Sequence, residues 1–249
     1  TLEPANTMPP KELWRQLQET RVPFITVPHH PSATSHPLNL DFHNPTYDRL
    51  YEIYSSWGSS EYDGDFPRGV SDRYRSGTYR DALRRGQRYG VIASADGHDG
   101  HPGNAQSPGV KHHHIFHFCG SGRAAVLADA LTRKAVFEAL YARRCYATTG
   151  VPIVLDVTVN EAVMGSELPP VRDGTRPRLR VNCVGAGGLD HLRVMRNGRV
   201  VHTEPCYGEV TRSLTWEDAD YHPDEPVSYY VRAVQQDRES AWSSPVWIG

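Results

Sequence analysis

The residues best suited to chemistry sit in the run Ser94-Ala95-Asp96-Gly97-His98-Asp99-Gly100-His101. An aspartate and a histidine two positions apart can turn into one site, because the glycine between them lets the backbone bend. A carboxylate with an imidazole suits Zn, Mn or Fe, although a solvated turn accounts for so short a motif equally well. A second candidate is Pro28-His29-His30-Pro31. Neighbouring side chains on an extended backbone point apart, so at most one of these two histidines is expected to bind a metal. Glu52 lies inside the apolar run Leu50-Tyr51-Glu52-Ile53-Tyr54. If buried it must face a cation, a metal ligand or a hydrogen-bond donor; simple alternation would instead leave it on a wetted face. Glu61 is similar but falls in a loop-like stretch, where exposure is expected. His112, His113, His114 and His117 read as a polar strand edge, with metal ligation by His112 and His114 as the minor reading.

These groups need strands and helices to hold them. Residues 9–21 read as a helix opened by prolines. Residues 22–30 read as a short strand ending at His29 and His30, and 50–54 as a second, buried strand. Residues 58–77 form a loop rich in Gly, Ser, Asp and Arg that is too long for a plain connection. A helix over 78–88 and a strand over 89–94 follow, and strand, helix, strand suggests parallel βα units whose ligand sites lie at the carboxyl ends of strands. Another helix is expected over 132–144, with Thr132 as N-cap. From Ile153 onward the chain alternates apolar and polar residues between turns spaced about ten residues apart, the pattern of an antiparallel sandwich. Within it, Arg196-Asn197-Gly198-Arg199 signals a type I′ hairpin. The expected division is 1–150 and 151–249.

Composition narrows the classes. The 249 residues carry 27 basic and 29 acidic side chains, a formal charge of −2, which argues against a non-specific nucleic-acid binder. No apolar run approaches the ~20 residues of a membrane helix. The four cysteines, Cys119, Cys145, Cys183 and Cys206, have no CxxC spacing, and a Cys183–Cys206 pairing stays open. Ten of the 13 histidines fall between His29 and His117. GxSxG, P-loop and dinucleotide-binding motifs are absent from the chain.

In order, FITVPHHPS (24–32), YEIYSSWGSSE (51–61), GVIASADGHDGHPG (90–103), LTRKAVFEALYARRCYATTG (131–150), VNEAVMGSE (159–167) and AWSSPVWIG (241–249) resemble the C-terminal part of a poorly characterised bacterial family. That family is related to the PHP (polymerase and histidinol phosphatase) metal-dependent phosphoesterases. The resemblance spans nearly the whole chain. It implies an α/β plus all-β fold: part of a distorted PHP-like βα barrel over 1–150, then an antiparallel immunoglobulin-like β-sandwich over 151–249. By the resemblance, His29, Asp96 and His98 are the expected metal ligands, with His30 and His101 as substitutes. Asp96, His98 and Glu52 are the expected catalytic residues, Glu52 in a supporting or substrate-facing position.

The same resemblance implies divalent ions (Zn, Mn or Fe), two or three in the complete protein, and a small phosphorylated substrate. The expected location is cytoplasmic, and the charge balance and short apolar runs give no nucleic-acid partner and no membrane span. The HxH that opens the family's metal site has no counterpart before His29, so this chain is expected to be either an incomplete catalytic unit or a degenerate member. Arginines at 68–75 are candidates for phosphate contact. The rival reading is a non-catalytic binding protein whose sandwich recognises carbohydrate or a protein partner through Trp216, Tyr229, Tyr230, Trp242 and Trp247, although sandwich strands need such residues first for their own core.

Overall fold

The computed structural model describes residues 9–32, 37–64, 77–96, 121–172 and 174–249. The elements run α1 (Pro10–Glu19), β1 (Leu50–Ser55), β2 (Gly58–Ser59), α2 (Tyr79–Arg84), β3 (Gly90–Ala93), β4 (Arg123–Val126), α3 (Arg133–Tyr141) and β5 (Cys145–Thr148). Then come β6 (Val154–Val159), β7 (Ala162–Val163), β8 (Glu167–Leu168), β9 (Arg178–Val184), β10 (Leu189–Arg196) and β11 (Arg199–Pro205). β12 (Thr211–Glu217), β13 (Val227–Gln235), β14 (Ser240–Ser243) and β15 (Val246–Ile248) complete the chain.

Local chemistry explains several boundaries. Proline leads α1, where a missing N–H costs nothing. Thr78 and Thr132 cap α2 and α3 by accepting from the backbone N–H of Asp81 and Ala135. Asn197 and Gly198 both take positive φ, 50° and 76°, as a type I′ turn requires, and Arg196 pairs with Arg199 across the hairpin. The strand expected over 22–30 does not form; a single parallel bridge, Thr26 to Asp48, stands in its place. Pro23 and Pro28 flank that bridge, and neither can donate to a ladder.

Three layers result. The parallel pair β1 and β3, extended by β2, forms a three-stranded sheet in the order β2-β1-β3. A mostly antiparallel eight-stranded sheet runs β11-β10-β13-β14-β5-β4, with β15 paired to β13 and β8 paired in parallel to β15. A four-stranded sheet runs β12-β9-β6-β7. The chain is thus rich in β structure with few helices. Among the described residues the N-terminal strands make an open layer, and no barrel closes.

The two larger sheets share a core. Leu155, Val157, Leu179 and Val181 from one face Tyr229, Val231 and Ala233 from the other. β9 alternates exposed and buried along its whole length, because only one of its faces meets this core. β13 is buried at nearly every position, because its other face is covered too. There Tyr230 joins Trp242, Met195 and Ala147 against Tyr51, Ile53, Tyr54 and Tyr79 of the N-terminal layer. Strand pairing also crosses position 150: β4 and β5 belong to the same sheet as β13 and β14.

The joint between these layers is ionic at its centre. Glu61, expected to be exposed, is 0% exposed. It follows β2 directly, and its backbone N–H is held by Ser59 Oγ. Its Oε2 accepts from Arg232 and Trp242 at 2.8 Å each, and its Oε1 from Tyr230 at 2.8 Å and Arg80 at 3.3 Å. Burial alone would raise its pKa, but the Arg232 and Arg80 charges with the Trp242 and Tyr230 hydrogen bonds outweigh it and hold the carboxyl below its ordinary value. Glu61→Gln leaves two guanidiniums facing a neutral amide and should cost about 3–5 kcal/mol in chemical denaturation. The lowered pKa makes Glu61 stabilising above its unfolded value near 4.5, an effect lost as pH falls through the folded value. Wild-type stability should therefore drop more steeply below that pH than the stability of Glu61→Gln.

Candidate functional site

β1 and β3 run parallel, and the polar groups gather where they finish. Glu52 is 3% exposed within a wholly buried strand. A carboxylate there must be satisfied by donors, and three converge on it. His29 Nδ1 lies 3.0 Å from Oε2 and 3.1 Å from Oε1; the His30 backbone N–H donates to Oε2 at 2.5 Å; and Ser94 Oγ, just past β3, donates to Oε1. The wetted-face alternative for Glu52 is therefore not what the fold adopts.

His29 bridges two carboxylates. Its Nε2 is 2.8 Å from Asp96 Oδ1, while Asp96 Oδ2 accepts from Trp57 Nε1 at 2.6 Å. The hydrogen bonds to Asp96 and then Glu52 favour the imidazolium over the opposing effect of burial, pushing the His29 pKa up to about 10. Burial pushes Asp96 upward, yet the hydrogen bonds from His29 and Trp57 prevail and its pKa is lowered. The His29 side chain is half exposed, so the cluster opens to solvent on that side.

His30 departs from the extended geometry assumed for it. Its φ is +29°, in the left-handed region, and its ring centroid lies 3.7 Å from that of His29. One ligand atom each from His29, His30 and Asp96 lie within 4.8 Å of one another. The turn at His30 thus removes the steric reason for expecting only one histidine at the site. Asp96 also has positive φ, +53°. Non-glycine residues in this region are uncommon and gather where a backbone is bent to aim a side chain.

The structure therefore brings together His29, His30, Glu52 and Asp96. His98, His101, His112, His113, His114, His117, Cys119 and the arginines at 68–75 lie outside the described residues. Two participants carried no sequence signal of their own. Ser94 holds Glu52, and Trp57 holds Asp96 and packs its ring 5.3 Å from that of His30. Trp57 sits at the β1–β2 turn, whose return at Gly58 uses φ +102°, and an indole beside a tight turn near a strand end is the one hint available.

The aromatic platform of the rival reading is not present. Tyr229, Tyr230 and Trp242 are 0% exposed and Trp247 is 5% exposed, all used for packing; Trp216 is half-buried beside His202. Cys145, Cys183 and Cys206 are buried free thiols, which leaves Cys183 and Cys206 unbridged. No helix among the described residues is long and apolar enough to cross a membrane.

Residues 90–168 match a family model described as a protein of unknown function, DUF3604. That segment runs from the start of β3 to the end of β8 and includes Ser94 and Asp96. The chain is similar to an uncharacterized protein of Chlamydia pneumoniae, 32% identical over 249 residues, covering 90% of this chain and 38% of that protein. Uncharacterized proteins of Chlamydia trachomatis serovar D and Chlamydia muridarum are 28% and 30% identical, each covering 93% of this chain and 39% of the relative. The chain thus spans about two-fifths of the length of these curated relatives. No solved structure matches it.

Replacing Glu52 by alanine strips three donors of a shared, buried, charged acceptor. Urea denaturation of Glu52→Ala should show a loss of at least about 1.5–3 kcal/mol, the scale of one hydrogen bond to a charged group. Ser94→Ala, which removes one donor of the three, should lose less.

Proposed function

We propose that this chain carries part of the active site of a metal-dependent hydrolase, a phosphoesterase, with His29, His30 and Asp96 as metal ligands. The observation that carries this reading is the approach of these three donors to within 4.8 Å, with His29 backed by the buried Glu52. Two imidazoles and a carboxylate are a donor set suited to Zn, Mn or Fe. A histidine whose second nitrogen is held by a carboxylate is the usual arrangement behind a metal ligand.

Each neighbouring residue has a task in this reading. Glu52 fixes the orientation of the His29 ring and, through the His30 N–H, the backbone between the two histidines. Trp57 occupies Oδ2 of Asp96, so Oδ1 and the His29 Nε2 bonded to it are the two atoms that would turn to the metal in place of their mutual hydrogen bond. Ser94 keeps Glu52 in place. The exposed side of His29 is where a small phosphorylated substrate enters. A bound divalent ion supplies Lewis acidity toward a phosphoryl oxygen and lowers the pKa of water toward ~7.

In the same reading the β2-β1-β3 layer is a portion of a PHP-like βα barrel, and the paired sheets are an immunoglobulin-like sandwich. His98 and further ligands from the rest of a longer protein complete a site for two or three ions, in a cytoplasmic enzyme. The test is metal analysis of the full-length protein with assays on a phosphomonoester and a phosphodiester. Stoichiometric metal is expected, with activity lost in Asp96→Ala and metal affinity reduced about 10–100-fold in Glu52→Gln. Full-length protein that neither retains nor takes up Zn, Mn or Fe would sink the proposal and return the chain to the class of binding proteins.

A further inference from the structure

A polar cavity of about 490 Å³ opens at the ends of β1 and β3 away from the histidine cluster, where these strands begin. At a rise of ~3.3 Å per residue it lies roughly 15 Å from the histidine cluster. Arg49, Arg85, Arg88 and Arg143 line it, with Asp41 and Glu167 as the carboxylates among its lining residues. Four guanidiniums against two carboxylates leave a local excess of positive charge in a concave site.

The pairing is uneven. Arg85 meets Asp41 at 2.5 Å, and Arg88 and Arg143 share Glu167. Arg49 is held by the carbonyl oxygens of Tyr141 at 2.9 Å and Pro45 at 2.8 Å, neither of which neutralises it. Arg143 is the buried member, its side chain 5% exposed, and its Nε has no hydrogen-bond partner among the described residues. Its backbone adopts φ +61° just beyond the end of α3, where glycine is the ordinary occupant. A side chain there strains the backbone, and this one is directed to the cavity wall over the Trp247 ring, 4.6 Å from its centroid. Burial and then the positive field of Arg49 depress the Arg143 pKa, with Glu167 opposing and Arg88 adding to the fall. His43 completes the wall, its Nδ1 2.9 Å from Tyr89 Oη.

We infer that this cavity is a binding site for a small soluble oxyanion, a phosphate or pyrophosphate group held by Arg49, Arg85, Arg88 and Arg143, separate from the histidine cluster. Guanidinium forks match phosphate oxygens bidentately, and a multivalent anion relieves the repulsion among the arginines. Arg85 is half exposed and Arg88 partly exposed on the open side of the cavity, while Arg143 is its buried member.

The test is calorimetric titration of the whole chain, freed of metal by a chelating resin, with sodium pyrophosphate and in parallel with sodium phosphate. One-to-one pyrophosphate binding is expected, weakened about tenfold or more in Arg85→Gln and Arg49→Gln and weakened again by added salt. Asp96→Ala should bind as wild type does, which separates this site from the proposed metal site. Absence of binding by wild-type protein, full affinity in both arginine variants, or loss of binding in Asp96→Ala would each overturn the inference. Circular dichroism of the two arginine variants, both altered at partly exposed positions, confirms that they remain folded.

Discussion

A buried carboxylate holds this molecule together. Glu61 is out of reach of water, and its cost of burial is offset only because four donors from three places in the chain meet it. Arg232 and Tyr230 come from β13, Trp242 from β14 and Arg80 from α2. Apolar contact would allow the N-terminal layer to slide over the eight-stranded sheet at modest cost. A charge that needs all four partners at once does not. The hairpin that carries Glu61 also carries Trp57, so the register of the layers is transmitted to the residue that holds Asp96.

The same logic recurs at smaller scale around Glu52. Glu61 locks one layer to another, whereas Glu52 locks a loop to a strand. His29 and His30 stand outside regular secondary structure, and among the described residues one bridge, Thr26 to Asp48, pairs their segment with the rest of the chain. Their position derives from the strand carboxylate beneath them. Rigid sheet below and adaptable loop above is a common division of labour for binding sites at strand ends. Here the polar connection between the two is made by a few named atoms.

What could be read from the sequence follows from how local each cause is. The Thr132 cap, the Asn197-Gly198 turn and the alternation of β9 act within a few residues, and each feature forms where the pattern places it. His29 and Asp96 stand out at the ends of strand patterns, whereas for Glu52, inside β1, the pattern allows either a buried or a wetted place, and its three donors decide between them. The burial of Glu61 was not, since its partners lie up to 181 residues away and nothing nearby announces them. His30 was misjudged for a different reason. Reading 22–30 as a strand implied an extended backbone, whereas His30 adopts a left-handed turn in which its N–H meets Glu52, a tertiary contact. The aromatic residues of β13 and β14 serve the core that sandwich strands need, but sequence does not reveal that their sheet is covered on both faces.

That double coverage has a consequence for how the chain can be divided. Cut at position 150, residues 151–249 would lose β4 and β5 and leave the pairing groups of β14 open along one side. The same cut would uncover Tyr230, Met195 and Trp242, an aromatic surface now sealed by the N-terminal layer. An open strand edge beside an apolar patch is a template for self-association. The C-terminal sheets are therefore not a portable module, since the residues that precede them cover both the edge of β14 and its aromatic face.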